Sequence, residues 1–322
     1  NPNNLTLMVV SNECMTGREK VLSAYKDHWI HRFAEDPGYW QRFHLANTLE
    51  QGSTIPWSYY NYLRWIPEVN DYVTKNRPIK PQDKNKILGL FMASHPGHTY
   101  NRFQLVADLS KYMNISYFGK GRFRHYFKHL GKNPVPNVTR ADSLELGCPY
   151  TTWYNPSITL CMMRTYFYYF AMENSEALDY VTEKLYNPLL VGVVPVYKGA
   201  PNVENFVPPH TLIKFDDFEH ASHLAYYLKC VADHPELYEY YRRWRTRTSP
   251  SWRRLLRMPH PLCQACHLVA RQDPVLRNVS ARTPQPQPLL PENAGNQLPL
   301  QRCLMPGTLL KGGRQGAPDP LR

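Results

Sequence analysis

The chain alternates between apolar runs and helical rhythms. Leu5-Thr-Leu-Met-Val-Val10 reads as a buried strand, and Tyr25 to Phe43 is rich in aromatics and histidine, helical in part. From residue 87 the pattern sharpens. Ile87-Leu-Gly-Leu-Phe-Met-Ala93 is a continuous apolar run, the mark of a strand covered on both faces. A loop, Ser94-His-Pro-Gly-His98, follows, and then Phe103, Leu105, Val106, Leu109 and Met113 recur at helical spacing. Ile115-Ser-Tyr-Phe118 is a short strand closed by Gly119. A second unit repeats the scheme: strand over Tyr166–Met172, loop over 173–180, helix over Val181–Val191 ended by Gly192, strand over Val193–Tyr197. Strands alternating with helices predict an α/β fold with a parallel sheet. Residues 220–245 read as two helices broken at His234-Pro235.

Composition changes this picture at the ends. Residues 75–86 are polar with two prolines and mark a domain boundary. Beyond Arg282 the chain collapses into Pro, Gln, Gly and Leu without periodicity, so the tail is expected to be disordered. Over 322 residues, 43% hydrophobic and 13% aromatic content excludes a wholly disordered chain, and no apolar run approaches the ~20 residues of a membrane span. The net charge of +12 has two readings: attraction of anions, whether nucleic acid, an anionic membrane surface or a phosphorylated small molecule, or simple solubility on a basic surface. The densest basic run, Arg242-Arg-Trp-Arg-Thr-Arg247, closes a helical pattern, where cations complement the dipole, so a structural role is preferred to nucleic-acid binding. The sequons at Asn4, Asn114, Asn137 and Asn278 lean towards a secretory protein. Among seven cysteines, the close pair Cys263-Gln-Ala-Cys266 lacks a second pair at zinc-finger spacing and is read as a structural disulfide. His95 and His98 have no adjacent acidic ligand, and no metal is expected there.

The chemistry concentrates in Glu173-Asn-Ser-Glu-Ala-Leu-Asp-Tyr-Val-Thr-Glu-Lys184. Thr182 is placed to cap the following helix, putting Glu183 and Lys184 in its first turn. Unpaired backbone N–H groups and the positive end of the dipole suit an anion there, and Lys184 adds a full charge. An ordinary capped helix fits the same pattern.

These residues also carry a resemblance. Tyr166-Phe-Tyr-Tyr-Phe-Ala-Met-Glu-Asn-Ser175, Asp179-Tyr-Val-Thr-Glu-Lys-Leu185, Val193-Val-Pro-Val-Tyr-Lys-Gly-Ala-Pro201 and Phe206-Val-Pro-Pro209 resemble the donor-site signature of the α1,3/α1,4-fucosyltransferase family, in order and spacing, through Asp216-Asp-Phe218. The resemblance implies a GT-B glycosyltransferase with two Rossmann-like lobes. It divides the chain into a partial acceptor-side lobe over 1–85, a GDP-fucose-binding lobe over 86–270 and the tail over 271–322. If Leu7-Met-Val-Val-Ser-Asn-Glu-Cys14 is the active-site strand, the N-terminal lobe is incomplete.

By position, the resemblance implies donor contacts from Asn174, Tyr180, Glu183 and Lys184, with Lys184 on the diphosphate and Glu183 on ribose or fucose hydroxyls. Ser94 and Arg102 match a Ser-loop followed by an Arg-containing helix, which makes Arg102 the second phosphate cation; a fixed fork of donors suits a diphosphate. Glu13 matches the general base, although Cys14-Met15 stands where the family carries Ser-Pro. Phe43-His-Leu-Ala-Asn-Thr48 resembles a later strand of the same lobe, and Cys263 and Cys266 fall where the family carries a C-terminal cysteine pair. The implied partners are GDP-β-L-fucose and an acceptor glycan containing N-acetylglucosamine, with no required cofactor or metal and no nucleic acid. The implied setting is the Golgi lumen, on a type II anchor upstream of this chain. A truncated or inactive GDP-sugar binder, or a GT-B transferase with another donor or a protein acceptor, is the alternative.

Overall fold

A computed structural model describes residues 8–10, 45–49, 53, 55–56, 58–76, 78–81, 88–93, 97, 99–118, 147–148, 156–245, 252–253, 257–271 and 303–305. Its strands form two parallel sheets. Near the N-terminus, β1 (Met8–Val10), β2 (Leu45–Thr48) and β3 (Ile55–Pro56) pair in that order, with Met8 beside Leu45 and Asn47 beside Ile55. Two helices follow, α1 (Tyr59–Trp65), capped by Ser58, and α2 (Pro67–Lys75).

The second sheet is built from β4 (Gly89–Met92), β5 (Ile115–Phe118), β6 (Tyr168–Met172), β7 (Val194–Lys198) and β8 (Ile213–Lys214). Its order is β5-β4-β6-β7-β8, all parallel. The chain therefore winds first to one side of β4 and then to the other. Such a reversal opens a crevice beyond the carboxyl ends of the two strands that flank it, here β4 and β6.

Both faces of this sheet are covered, which is why its strands read as unbroken apolar runs. Phe91, Tyr168, Phe170, Val194 and Val196 pack against α3 (Arg102–Ser110) and α6 (Ala221–Asp233) through Phe103, Val106, Leu224 and Leu228. Leu90, Tyr169 and Ala171 point the other way, onto α4 (Pro156–Arg164) and α5 (Glu183–Leu190) through Met162, Met163, Leu185 and Leu189. Several of the tyrosines fit this core because their hydroxyls reach backbone acceptors. Tyr168 donates to the Leu228 carbonyl at 2.8 Å, Tyr238 to Phe167 at 2.6 Å and Tyr117 to Ala93 at 2.7 Å.

Most elements read from periodicity are present, with their ends trimmed. The helix break at His234-Pro235 is real, separating α6 from α7 (Pro235–Tyr240). Helices α1, α2 and α4 (Pro156–Arg164), and the helix over Pro261–Ala270, have no counterpart in the periodicity reading. Pro188 lies inside α5, where it removes the bond its N–H would have made to the Lys184 carbonyl. The helix closes immediately afterwards: Gly192, at φ 72°, donates to Leu189 and lets Val193 N–H reach the Pro188 carbonyl at 2.9 Å. Of the basic run, Arg242 pairs with Glu239 and Arg243 lies 3.7 Å above the Tyr240 ring, so both are tied into the helix end.

The cysteine reading is corrected. Cys263 and Cys266 are free and exposed on helix α8 (Pro261–Ala270), three residues apart on a surface turn. Among the described residues, disulfides instead join Cys148 to Cys161 and Cys230 to Cys303. The second anchors a fully buried point of the Pro-rich tail to α6, which composition does not anticipate. A cross-link spanning 73 residues restricts the unfolded chain strongly. Cys303→Ser is expected to lower unfolding stability by about 2–4 kcal/mol, read from denaturant titration without reductant. Peptide mapping of the unreduced protein should recover the Cys230–Cys303 pair.

Candidate active site

The site forms where β4 and β6 end. The last apolar residue of β6 is followed by Glu173, whose side chain is fully buried. Burial of an ionised carboxylate needs partners, and the next loop supplies them. Glu173 Oε1 accepts the Thr182 N–H at 2.8 Å and Oε2 accepts the Thr182 hydroxyl at 2.7 Å. Lys184 Nζ stands 3.2 Å from Glu173 Oε2, 3.1 Å from Glu183 Oε1 and 2.9 Å from Thr182 Oγ1. Thr182 also caps α5, its hydroxyl accepting from the Lys184 N–H at 3.4 Å. One carboxylate thus fixes the cap, the helix start and the lysine together.

The backbone on either side is pinned as well. Glu173 N–H donates to the Lys198 carbonyl at 2.8 Å, and the Tyr100 hydroxyl lies within bonding distance of both the Glu173 and Lys198 carbonyls. Asp179, at φ 64°, is held by a reciprocal pair with Asn202 at 2.7 and 2.9 Å. Gly199 is required by close approach, since a Cβ there would fall 2.5 Å from Glu173 Cγ. Lys198 Nζ closes the outer edge, bound to Glu176 at 2.6 Å and Asp216 at 2.8 Å.

Arg102 opens α3, which Asn101 caps by accepting the Gln104 N–H at 3.1 Å. Its guanidinium is buried, 2% exposed, and Nη1 donates to the Met172 carbonyl at 2.9 Å. A cavity of about 270 Å³ brings Arg102 together with Asn174, Glu183 and Lys184, below the ends of β4 at Met92 and Ala93. Tyr169, Asn187 and the α4 residues Thr159 and Met163 complete its wall.

The electrostatics follow from these contacts. Burial lowers the Arg102 pKa, but a guanidinium starts so high that it stays charged. Burial also works against the Lys184 charge, yet Glu173 and Glu183 outweigh it and raise its pKa. Arg102 is close enough to push the lysine the other way. Burial raises the Glu173 carboxyl, only partly offset by Lys184. For Glu183 burial is overcome by Lys184, whose charge and hydrogen bond hold it below the usual carboxylate range. Burial keeps the Tyr169 phenol neutral, with Glu183 adding to the effect. The arrangement presents two cations, a neutral hydroxyl and an accessible carboxylate to one small volume. It can hold a phosphate group beside hydroxyl donors.

Of the sequence-predicted residues, Arg102, Asn174, Glu183 and Lys184 share the cavity. Tyr180 packs instead with Leu49 and Ala177, close enough to Arg102 to act on its charge. Glu13 and Ser94 lie outside the described residues, as do His95 and His98. Reasoning from sequence missed Glu173, Tyr169 and Asn187. A signal existed for two of them: Glu173 is a carboxylate ending an apolar strand, and Asn187 lies four residues from Glu183, on the same helix face.

The sequence model of one family, described as glycosyltransferase family 10 (fucosyltransferase), C-terminal part, matches residues 81–282. The chain belongs to this family. Among curated relatives, human alpha-(1,3)-fucosyltransferase 4 is 32% identical over 198 residues, covering 59% of this chain and 31% of its own length. An Arabidopsis thaliana alpha-(1,4)-fucosyltransferase is 45% identical over 85 residues, 26% of this chain and 21% of its own. Drosophila melanogaster alpha-(1,3)-fucosyltransferase B is 26% identical over 65% of this chain and 45% of its own. The chain therefore spans less than half the length of these relatives. A crystal structure of an alpha1,3-fucosyltransferase with GDP-fucose is 17% identical, with a TM-score of 0.41 over 65% of this chain and 51% of that one.

For this family 10 chain, Glu173→Gln places an amide where donors already converge on the carboxylate. It should cost about 1–3 kcal/mol of stability, measured by urea titration, because buried donors lose their acceptor. The pH signs are separable. Glu183, lowered in the fold, contributes stability above about pH 4.3 that is lost as pH falls through its folded value. Lys184, raised, contributes below about pH 10.4 and loses this as pH rises through its folded value. The stability difference between the parent and Glu183→Gln should therefore shrink on acidification below about pH 4.3, followed by denaturation at stepped pH.

Proposed function

We propose that the chain is the donor-binding part of an inverting fucosyltransferase. In this reading it moves L-fucose from GDP-β-L-fucose to a hydroxyl of a glycan containing N-acetylglucosamine, in α1,3 or α1,4 linkage. The observation that carries the reading is that Arg102 and Lys184, from two different crossovers, meet in one cavity beside Glu183 at the point where the sheet reverses its winding.

Transfer breaks the bond between fucose C1 and the β-phosphate oxygen and forms one from C1 to the acceptor oxygen. Negative charge grows on the diphosphate as it leaves. Fixed cations in a partly dry cavity stabilise that charge without reorganising, and few other features of a site lower the barrier as much. Arg102 presents its planar fork from a buried position, and Lys184, tied to Glu173 and Thr182, is held ready rather than left to swing from solvent. Glu183, kept ionised by Lys184, accepts hydrogen bonds from sugar hydroxyls. Inversion further needs a carboxylate to take the acceptor proton as the sugar passes through an oxocarbenium-like state, the part assigned to Glu13. Paired cations carry the leaving group in this scheme, so no cofactor or metal is required by it. The same reading sets the reaction in the Golgi lumen. No helix among the described residues is long and apolar enough to cross a membrane.

Lys184→Ala is expected to lower kcat/KM for GDP release from GDP-fucose, with an N-acetylglucosamine acceptor, by about 10²–10³. Arg102→Lys, which keeps the charge but loses the fork, should lose part of that. Unchanged turnover in Lys184→Ala contradicts the reading. Tight binding of GDP with no transfer to any acceptor by the parent would instead make the chain a GDP-sugar binder.

A further inference from the structure

Of the four sequons, Asn114-Ile-Ser116 is the one that lies among the described residues. It stands at the end of the short link between α3 and β5. The Tyr112 and Met113 N–H groups both donate to the Leu109 carbonyl, at 3.0 and 3.3 Å, so the chain turns tightly off the helix. From there burial alternates. Met113 and Ile115 point into the core, whereas Tyr112 and Asn114 face water. Such alternation sets residues two apart on one side of the link, here the Tyr112 ring and the Asn114 amide. Tyr112 is 48% exposed, while Tyr117 in the strand that follows is fully buried. An apolar ring is thus left to solvent beside an acceptor asparagine.

We propose that Asn114 carries an N-linked glycan and that Tyr112 is the platform for its first sugar. This goes beyond the fucosyltransferase reading and does not rest on it. The Asn-x-Ser pattern is what the modification requires, and a bulky hydrophilic glycan needs the surface position that Asn114 has. Asn114 Nδ2 attacks C1 of the reducing-end N-acetylglucosamine of an oligosaccharide carried on a polyprenyl diphosphate. The bond from C1 to the diphosphate oxygen breaks, the polyprenyl diphosphate leaves with the electron pair, and the Nδ2 proton passes to a base of the transferring enzyme. The two disulfides among the described residues fit the oxidising compartment in which sequons are modified. An aromatic face is partially negative and the C–H groups on a pyranose face are partially positive, so the first sugar stacks on Tyr112. The position leaves the cavity open. Asn114 precedes the amino end of β5, whereas the cavity lies beyond the carboxyl ends of the parallel strands. Among the described residues β5 is also the outermost strand of its sheet, and a glycan there shields its edge from pairing with another chain.

The test is to secrete the whole chain from a eukaryotic cell and map its tryptic peptides before and after enzymatic removal of N-glycans. Cleavage after Lys111 and Lys120 isolates residues 112–120. In the parent, Asn114 of that peptide is expected to be recovered as aspartate, the mark the glycosidase leaves. In Ser116→Ala, which keeps the asparagine but breaks the sequon, it should be recovered unchanged. The glycosylated parent should melt about 2–4 °C above Asn114→Gln, and in a Tyr112→Ala background that gap should close. Secreted parent protein with an unmodified 112–120 peptide overturns the proposal. A melting gap that persists in Tyr112→Ala overturns the part given to the ring, since a glycan acting through bulk alone does not need it.

Discussion

The Glu173 carboxylate is the constraint on which the site depends. It sits at the end of a central strand with no exposure to solvent, a position where an unpaired charge is very costly. Its partners are the Thr182 amide and hydroxyl and the Lys184 ammonium, and each has a second task. Thr182 starts the helix. Lys184 faces the cavity. The loop between strand and helix cannot relax without leaving the carboxylate unpaired, so a residue that need never touch a ligand decides where the cation stands.

The sheet supplies the other half of the arrangement. Because the winding reverses between β4 and β6, two loops rise from neighbouring strand ends, and each leads to a helix whose first turn carries a cation. Arg102 is fixed from below by the Met172 carbonyl on the strand that also leads into Glu173. The two cations therefore reference one strand although some eighty residues of chain separate them. Glu173 and Glu183 formally balance the charges of Arg102 and Lys184. An anion entering the cavity competes with Glu173 and Glu183 for Lys184.

Much of this was legible because its causes are local. Apolar runs covered on both faces, a threonine before Glu-Lys and a glycine after the last helical turn each follow from short-range rules, and the structure shows β4, β6, α5 and Gly192 doing what those rules require. What was not legible depends on distant partners. Glu173 reads as a loop residue until the strand end and Thr182 are seen to meet. Helix α4 hides because Leu160-Cys-Met-Met163 is a continuous apolar run that periodicity alone does not assign, although Asn155 before Pro156 is a start signal in the sequence, and only the cavity shows what Thr159 and Met163 line. The cysteines failed for the same reason: sequence proximity favoured Cys263 with Cys266, whereas packing joins Cys230 to Cys303 across 73 positions.

In the proposed reaction the cavity below β4 and β6 holds a diphosphate between Arg102 and Lys184. Titrating the chain with GDP and, separately, with guanosine isolates that contribution, because the two ligands share base and ribose. GDP is predicted to bind at least about a hundredfold more tightly, a difference of about 2.8 kcal/mol. Equal affinities, with heat released by both, would show that the two cations hold no phosphate and would contradict the claim.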